Sequence, residues 1–528
     1  MKKHLFILMS TLLPLMMYAQ ERIMVITDPH VLPQELFDAD SQSFREMMDG
    51  QRKMLDLSEP IWRALMDTAL KYKPEVLLIP GDLTKDSEKA SHELIINSLQ
   101  KLEEAGIKTL AIPGNHDIGG NAYSYMGAEK TSVDNMPDTE WESAYSWIYE
   151  QVLSKDTGSH SYVAEPIDGI TIIGIDGSDN NTATGRLSDA SLAWVLAQAD
   201  AANAKGNTII AMSHWQLLEH VDKQGMLESS SRFEKADAIR DSLIHHGVRL
   251  LLTGHFHINS ISTYRDTTGL TNDSIVEIST GSPITYPCPY RWLTLSADRQ
   301  TVDVETDYLT AVDTIADLYT YSREWMRVHA TNMIPQMTLR AWAKADQALD
   351  MLRGNSQLGG DVLANLLEQS MPTTDSAKID LVQRHLGQTA VEMYLLHSDA
   401  NEPEHPEADS LAMAVYDGME SMIKEMTNST MWNVFSEMRT MLINGAKLVA
   451  EEPVQSLVED MTNWRSDLYY NRTDDLKLRL KINGEQVQAV EQTPVPLTAN
   501  QKYDILGRPI ASPQQGTVYI QDGKKILR

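Results

Sequence analysis

The chain has 528 residues, 42% of them apolar and 23% charged, and its 45 Lys and Arg against 74 Asp and Glu give a formal charge of −29. That length exceeds one ordinary core and implies two domains or more. The composition excludes a low-complexity chain, and so acidic a balance argues against a nucleic-acid duplex or an anionic membrane surface as the natural partner.

The first stretch reads "MKKHLFILMSTLLPLMMYAQ". Lys2 and Lys3 form a basic start, Leu5 to Met17 an apolar run broken by Pro14, and Ala19 a small residue before Gln20. Residues 1–19 thus read as a signal peptide and predict an exported protein, either periplasmic, at the cell surface or secreted, with no stable membrane insertion. The competing reading is an uncleaved anchor. No Cys follows the apolar run, which closes the lipoprotein route, and the chain's lone Cys288 has no partner for an intrachain disulfide. Cys288 reads as a packing residue.

From Arg22 to Tyr308 apolar strands alternate with helices. "RIMVITD", "EVLLIPGD" and "KTLAIPGN" are strands, separated by the helical patterns "PIWRALMDTALKYK" and "SHELIINSLQKLEEAG". "GITIIGID", "NTIIAMSH" and "RLLLTGH" follow as strands, the last two after helical stretches. Then "SIVEIST", "RWLTLSA" and "TVDVETD" come without helices between them, which predicts a second, partly antiparallel sheet. Residues 311–470 carry apolar residues at helical spacing, rich in Met, and predict a helical domain whose methionines fill its core. The acidic loop "SDANEPEHPEADS" lies within it, with His397 and His405 in or beside it as solvated histidines. Residues 476–528 return to short strands with Gly turns.

Five polar clusters close five of the strands: "ITDPH" with Asp28 and His30, "IPGD" with Asp82, "IPGNHD" with Asn115, His116 and Asp117, "AMSH" with His214, and "TGHFH" with His255 and His257. In open α/β sheets the ligand crevice lies beyond the carboxyl ends of the strands, so these ends converge on one site. Carboxylate and amide oxygens with imidazoles and no thiolate suit Mn, Fe, Zn or Co. The set is too large for a single tetrahedral ion and suits two ions sharing a carboxylate. His255 and His257 alternate along an extended chain, so on a regular strand both point one way. Each cluster alone is a weak signal; the five in order are not.

The pattern D-x-H, G-D, G-N-H-D, H and G-H-x-H resembles that of the calcineurin-like metallophosphoesterase superfamily. More narrowly, "GDLTKDSEKASHELIINSLQKLEEAGIKTLAIPGNHDI" is similar to a secreted bacterial branch near class III cyclic-nucleotide phosphodiesterases. The resemblance covers residues 22–310 and implies a four-layer sandwich of two mixed β-sheets flanked by helices, here followed by the α-helical domain and the short β-rich tail. It implies a catalytic domain with two divalent or trivalent metal ions. Asp28, His30 and His257 would hold one ion, Asn115, His214 and His255 the other, and Asp82 would bridge them. His116 would face the phosphate and assist the leaving oxygen, and Asp117 would orient His116. The fourth cluster departs from the His-His or His-Pro context common in such enzymes and reads "SHWQLLEH". Trp215 there reads first as a core aromatic and second as a platform for a substrate base. Arg186 reads first as a turn-closing salt bridge and second as a phosphate contact. The C-terminal "YDILGR" and "GTVYIQDGKK" resemble the sorting-type tails of exported proteins from Bacteroidetes.

The activity implied is hydrolysis of a small phosphate ester by metal-bound hydroxide. Bound ions explain how so acidic a chain can take an anionic substrate. Phosphodiesters, cyclic nucleotides among them, lead. A phosphomonoesterase or nucleotidase on the same scaffold is the alternative, and a surface-binding protein with a vestigial site is a third reading, disfavoured because no ligand is missing.

Overall fold

The structure, a computed structural model, describes residues 21–353 apart from 50, 180–181, 221–228, 267–269, 271–272, 298, 300 and 314. It also describes residues 371–399, scattered helical positions between 365 and 426, and strand residues 477–481, 502–504, 509–510, 518–521 and 524–527. The signal-peptide reading of residues 1–19 and His405 lie outside the described residues.

Strands β1 (Arg22–Val25), β2 (Val76–Pro80) and β3 (Lys108–Ile112) pair in parallel, β1 to β2 and β2 to β3. Between β1 and β2 run the short helix α1 (Gln42–Met48), capped by the Ser41 hydroxyl, and α2 (Ser58–Tyr72). Helix α3 (Lys89–Glu104) makes the next crossover. Helix α2 buries Ile61, Trp62, Leu65, Met66 and Ala69, the i, i+1, i+4, i+5, i+8 stripe of an amphipathic helix. It ends where Lys73 takes a left-handed backbone, φ 50°. Every residue of β2 is buried. A strand covered on both faces has no wet side, which is why its sequence is a continuous apolar run.

The second sheet follows from β4 (Ser154–Lys155), β5 (Tyr162–Ile167), β6 (Ile170–Ile175), β7 (Thr208–Ser213), β8 (Leu250–Thr253), β9 (Ser260–Arg265) and β10 (Ser274–Ser279), in the spatial order β9-β10-β8-β7-β6-β5-β4. Helices α4 (Asp189–Lys205) and α5 (Ala236–His245) cover its outer face. Alternate residues divide between two cores. Ile170, Ile172, Ile210, Met212, Leu250 and Leu252 join the core between the sheets. Ile173, Ile175, Ile209, Ala211 and Leu251 join the core under the helices. Two mixed sheets face to face with helices outside them make the expected four layers.

The closing β-rich run corrects one expectation. "SIVEIST" becomes β10 in the second sheet, but β11 (Pro289–Leu295) and β12 (Thr301–Tyr308) return to the first and pair antiparallel with β1 and with each other. The burial patterns give the reason. β10 is buried along its whole length and takes an interior place between β8 and β9, whereas β12 alternates and its last four residues are partly or fully exposed. A strand with one wet face fits nearer the margin of a sheet.

Beyond the sandwich, α6 (Leu318–Arg353) and α7 (Asp375–Asp399) pack against each other. Met326, Ala330 and Ile334 of α6 and Val391 and Leu395 of α7 form a small core with Tyr286 of the sandwich. β13 (Lys477–Lys481) adds to the first sheet beside β12. The last strands, β14 (Lys502–Asp504), β15 (Pro509–Ile510), β16 (Val518–Gln521) and β17 (Lys524–Leu527), form a four-stranded sheet of order β15-β14-β16-β17. No helix among the described residues is long and apolar enough to cross a membrane.

Candidate metal centre

All five clusters lie just past the carboxyl ends of parallel strands: β1, β2 and β3 of the first sheet and β7 and β8 of the second. Tight left-handed turns, rather than strand continuation, aim the side chains. Asp28 (φ 54°), His30 (39°), Asp82 (51°), His255 (66°) and His257 (61°) all have positive φ without being glycine. Each such residue costs roughly 1–3 kcal/mol, a strain that gathers at functional sites. This corrects the expectation that His255 and His257 point one way along a regular strand. β8 ends at Thr253, and the turn sends His255 toward His214 and His257 toward His30.

The result is two overlapping donor groups. Asp28, His30, Asp82 and His257 form one, Asp82, His214 and His255 the other, with donor atoms in each group within 4.8 Å of one another. Asp82 belongs to both. His257 Nε2 lies 3.0 Å from His30 Nε2 and 3.1 Å from Asp28 Oδ1. His214 Nε2 lies 3.1 Å from His255 Nδ1 and 3.2 Å from Asp82 Oδ2. Asn115, nearly buried, has an Oδ1 with no hydrogen-bond partner. Two of the flanking glycines are needed for this closeness. A Cβ at Gly114 would stand 2.3 Å from Asp82 Oδ1, and one at Gly254 2.4 Å from Asp28 Oδ2.

The electrostatics fit cations. Burial pushes His30 well down, His255 down to about 3 and His257 down to about 4, so these imidazoles are neutral, the ligand form. His214 goes the other way. Burial opposes its charge, but Asp82 and Asp28 outweigh it and raise His214 to about 9. Burial would raise Asp28 and Asp82 too, yet the neighbouring imidazoles hold both below the usual carboxylate range, His257 and His214 for Asp28, His214 and His116 for Asp82. Ring nitrogens facing each other at 3.0 and 3.1 Å need a proton or a cation between them. The oxygen and imidazole donors, without thiolate, suit the borderline metals Mn, Fe, Zn or Co.

His116 sits at the rim, partly exposed, its ring 4.9 Å from that of His30 and edge-on to it. The orienting carboxylate is Asp86, not Asp117. Asp86 Oδ1 lies 2.7 Å from His116 Nδ1. Burial would raise Asp86, but His116 and Lys85 hold it below the usual carboxylate range. Asp117 instead accepts from Gly114 N at 2.8 Å, Thr84 N at 2.9 Å and Thr84 Oγ1 at 3.1 Å. Burial, and then Asp82, push it up. It braces two loops and makes no hydrogen bond to the His116 ring, because the turn at Asp117 directs its carboxylate back toward the β2 loop.

Asp86 is the residue that sequence reasoning missed. Its signal was present in "GDLTKDS", four places after Asp82, but nothing in the chain says that this loop curls back under His116. Trp215 is fully buried, donates to Ala183 O at 2.8 Å and packs on Phe233, as a core aromatic does. Arg186 pairs with Asp179 and Glu234 at an exposed turn. Cys288 is buried, its thiol pushed up to about 12 by burial, and is inert packing. His397 is not a solvated loop residue. It lies on α7 with its ring 6.3 Å from Phe256, which separates His255 from His257 in the chain.

The family model of calcineurin-like phosphoesterases matches residues 21–259. A probable cyclic nucleotide phosphodiesterase of Synechococcus sp. is 25% identical over 204 residues, 38% of this chain; the match spans 65% of that relative's own length. A dimetal phosphatase from Danio rerio aligns over 54% of this chain and 96% of its own, at 13% identity and a TM-score of 0.40. A purple acid phosphatase from yellow lupin (Lupinus luteus) seeds aligns over 57% and 53%, at 10% identity and a TM-score of 0.36.

Proposed function

We propose that the chain, whose residues 21–259 match the family model of calcineurin-like phosphoesterases, hydrolyses small phosphodiesters, cyclic nucleotides among them, at a two-metal site. The observation that carries the reading is Asp82, a buried carboxylate common to two donor groups made of the expected residues. Asp28, His30, Asp82 and His257 would hold one ion, and Asp82, Asn115, His214 and His255 the other. Two ions there would supply positive charge against the phosphoryl oxygens and acidify a water. The weak likeness to a probable cyclic nucleotide phosphodiesterase supports the diester reading.

The chain's own part in the proton traffic falls to His116. Asp86 keeps Nδ1 protonated, which leaves Nε2 as the nitrogen that holds or moves a proton. Asp86 orients the ring and fixes its tautomer, as a carboxylate does for a catalytic imidazole. A protonated Nε2 facing the leaving oxygen delivers its proton as the ester bond breaks. Asp117, through Thr84 and Gly114, fixes the loop that carries His116.

The test is hydrolysis of a bis-nitrophenyl diester and a nitrophenyl monoester by protein loaded in turn with Mn, Fe, Zn and Co, with metal content measured alongside. The expected outcome is about two equivalents of metal and a higher kcat/KM for the diester. A higher value for the monoester overturns the diester preference, and no turnover of either ester with two metals bound overturns the hydrolase reading. The basic and apolar first 19 residues support export. N-terminal sequencing of the protein produced with its full sequence, with a start at Gln20 expected, checks that.

A further inference from the structure

Lys85 is a buried lysine in the loop after β2, next in the chain to the carboxylate that orients His116. Its ammonium pairs with Asp86 Oδ2 and donates to Tyr125 Oη at 2.9 Å. The other oxygen, Asp86 Oδ1, lies 2.7 Å from His116 Nδ1. Tyr125, Lys85, Asp86 and His116 thus form one hydrogen-bonded chain that ends at the rim of the metal centre. Burial opposes the Lys85 charge, yet its neighbours, Asp86 first among them, raise it above the usual lysine range.

Each link is fastened to the main chain. Lys85 N donates to Val31 O at 3.3 Å, Asp86 N to Glu88 Oε2 at 2.8 Å and Ser87 N to Thr84 Oγ1 at 3.0 Å, so the loop holds the two side chains at a set spacing. Tyr125 N donates to Leu36 O at 2.6 Å, and the Tyr125 carbonyl accepts from Asp38 N at 3.0 Å and from Ser41 Oγ at 2.8 Å. Ser41 is also the cap of α1. The far end of the chain is therefore anchored to the segment that leads from β1 into α1.

Stability alone is a poor account of this arrangement. The attraction within a buried ion pair often fails to offset the desolvation of its charges, and a long side chain loses rotamer freedom when it is fixed. What the pair gains is direction. A carboxylate with one partner can turn about its Cβ–Cγ bond and offer either oxygen, whereas one held at both oxygens cannot. A catalytic imidazole needs that direction, because a small misplacement of a reacting group is costly to the rate. We propose that Lys85 is a positioning residue: braced by Tyr125, it holds Asp86 Oδ2 so that Oδ1 stays on His116 Nδ1 and the Nε2 edge of the ring faces the substrate. Its effect on turnover rests on the phosphate-ester reading of the centre; the brace itself is independent of that reading.

Diester kinetics and metal content, together with NMR of nitrogen-labelled histidine rings in the zinc-loaded full chain, test it. Wild type is expected to show a persistent Nδ1–H signal for His116, identified by its absence from His116→Ala. Lys85→Met is expected to broaden or lose that signal, keep both metals and lower kcat about 10-fold or more with KM little changed. Tyr125→Phe, which leaves the ion pair in place, is expected to act in the same direction by a smaller factor. In an Asp86→Asn background the link is already cut, so Lys85→Met should change kcat by less than about 2-fold. An unchanged signal and kcat in fully metallated Lys85→Met overturns the proposal, as does a full additional loss in the Asp86→Asn background. Loss of metal in both Lys85→Met and Tyr125→Phe also overturns it, by giving the pair a structural role. Should Lys85→Met not fold, Tyr125→Phe decides alone, and an unchanged signal and kcat there overturns the proposal. Wild type whose Nδ1–H signal depends on Lys85 but which hydrolyses neither ester sustains the brace and overturns the hydrolase reading instead.

Discussion

The loop after β2 and the loop after β3 each bring a buried aspartate to the heart of the site, and the two carboxylates end in different electrical states. Asp82 is wrapped by imidazoles of His214, His116 and His30, which together outweigh burial and hold it ionised. Asp117 is met by backbone N–H groups and the Thr84 hydroxyl, and burial and then the charge of Asp82 push it up. Both follow a Gly in an apolar-strand-plus-turn context. The difference teaches that residue type and motif place a carboxylate at a site, while the charges facing it decide whether it can serve a cation.

Substitution at the two positions should separate them sharply. Asp82→Asn removes the shared charge from both donor groups and is expected to drop metal content below two equivalents and turnover by about 10³-fold or more, since a metal contributes several kcal/mol of transition-state stabilisation. Asp117→Asn keeps the shape and one acceptor oxygen. It should retain both metals and cost about 1–3 kcal/mol of stability through a misplaced hydrogen bond. Metal analysis and urea melts of the pair read out the contrast, and equal metal loss in both would erase it.

The next largest effect sharpens the roles within the Asp117 loop. His116→Ala is expected to lower kcat by about 10²–10⁴-fold with metal content unchanged. Asp86→Asn should lower kcat in the same direction by a smaller factor, with metal content unchanged, because the ring loses the carboxylate that fixes its tautomer and orientation. If Asp117→Asn rather than Asp86→Asn lowered kcat with both metals retained, the assignment of the orienting carboxylate would be reversed.

The smallest effect concerns the support beneath the loop. His92 of α3 lies 2.8 Å from the Asp117 carbonyl and 2.8 Å from Tyr145 Oη, and burial holds it down to about 4. In the unfolded chain a His titrates near about 6.5. Above that value neither state takes up the proton and the full stability is present. As pH falls from there toward 4, only the unfolded chain is protonated, and stability is lost, about 3 kcal/mol in all. His92→Phe removes this titration, so urea midpoints of wild type and variant should converge as pH falls from 7 to 4.5. A constant gap would show that His92 does not titrate in that window.

Much of this was legible in the sequence because it depends on local patterns. Continuous apolar runs such as "VLLIP" and "ITIIGI" announce strands covered on both faces, and helical stripes such as that of α2 announce the layers that cover them. Asp28, His30, Asp82, Asn115, His214, His255 and His257 could be named as candidate donors because they fall at strand ends, where an α/β sheet collects its ligands. The sequence also carried the residue chemistry, oxygen and imidazole without thiolate, which suits borderline cations. What it could not carry were facts made by contacts between distant segments. Asp86 reaches His116 across 30 positions, Tyr394 reaches Arg52 across 342, and β11 and β12 join β1 rather than their neighbour β10. The split of His255 and His257 between two donor groups depends on left-handed turns that no periodicity encodes. Local propensity fixes which elements form; only packing decides which charges those elements bring face to face, and at this site the charges set the role of each residue.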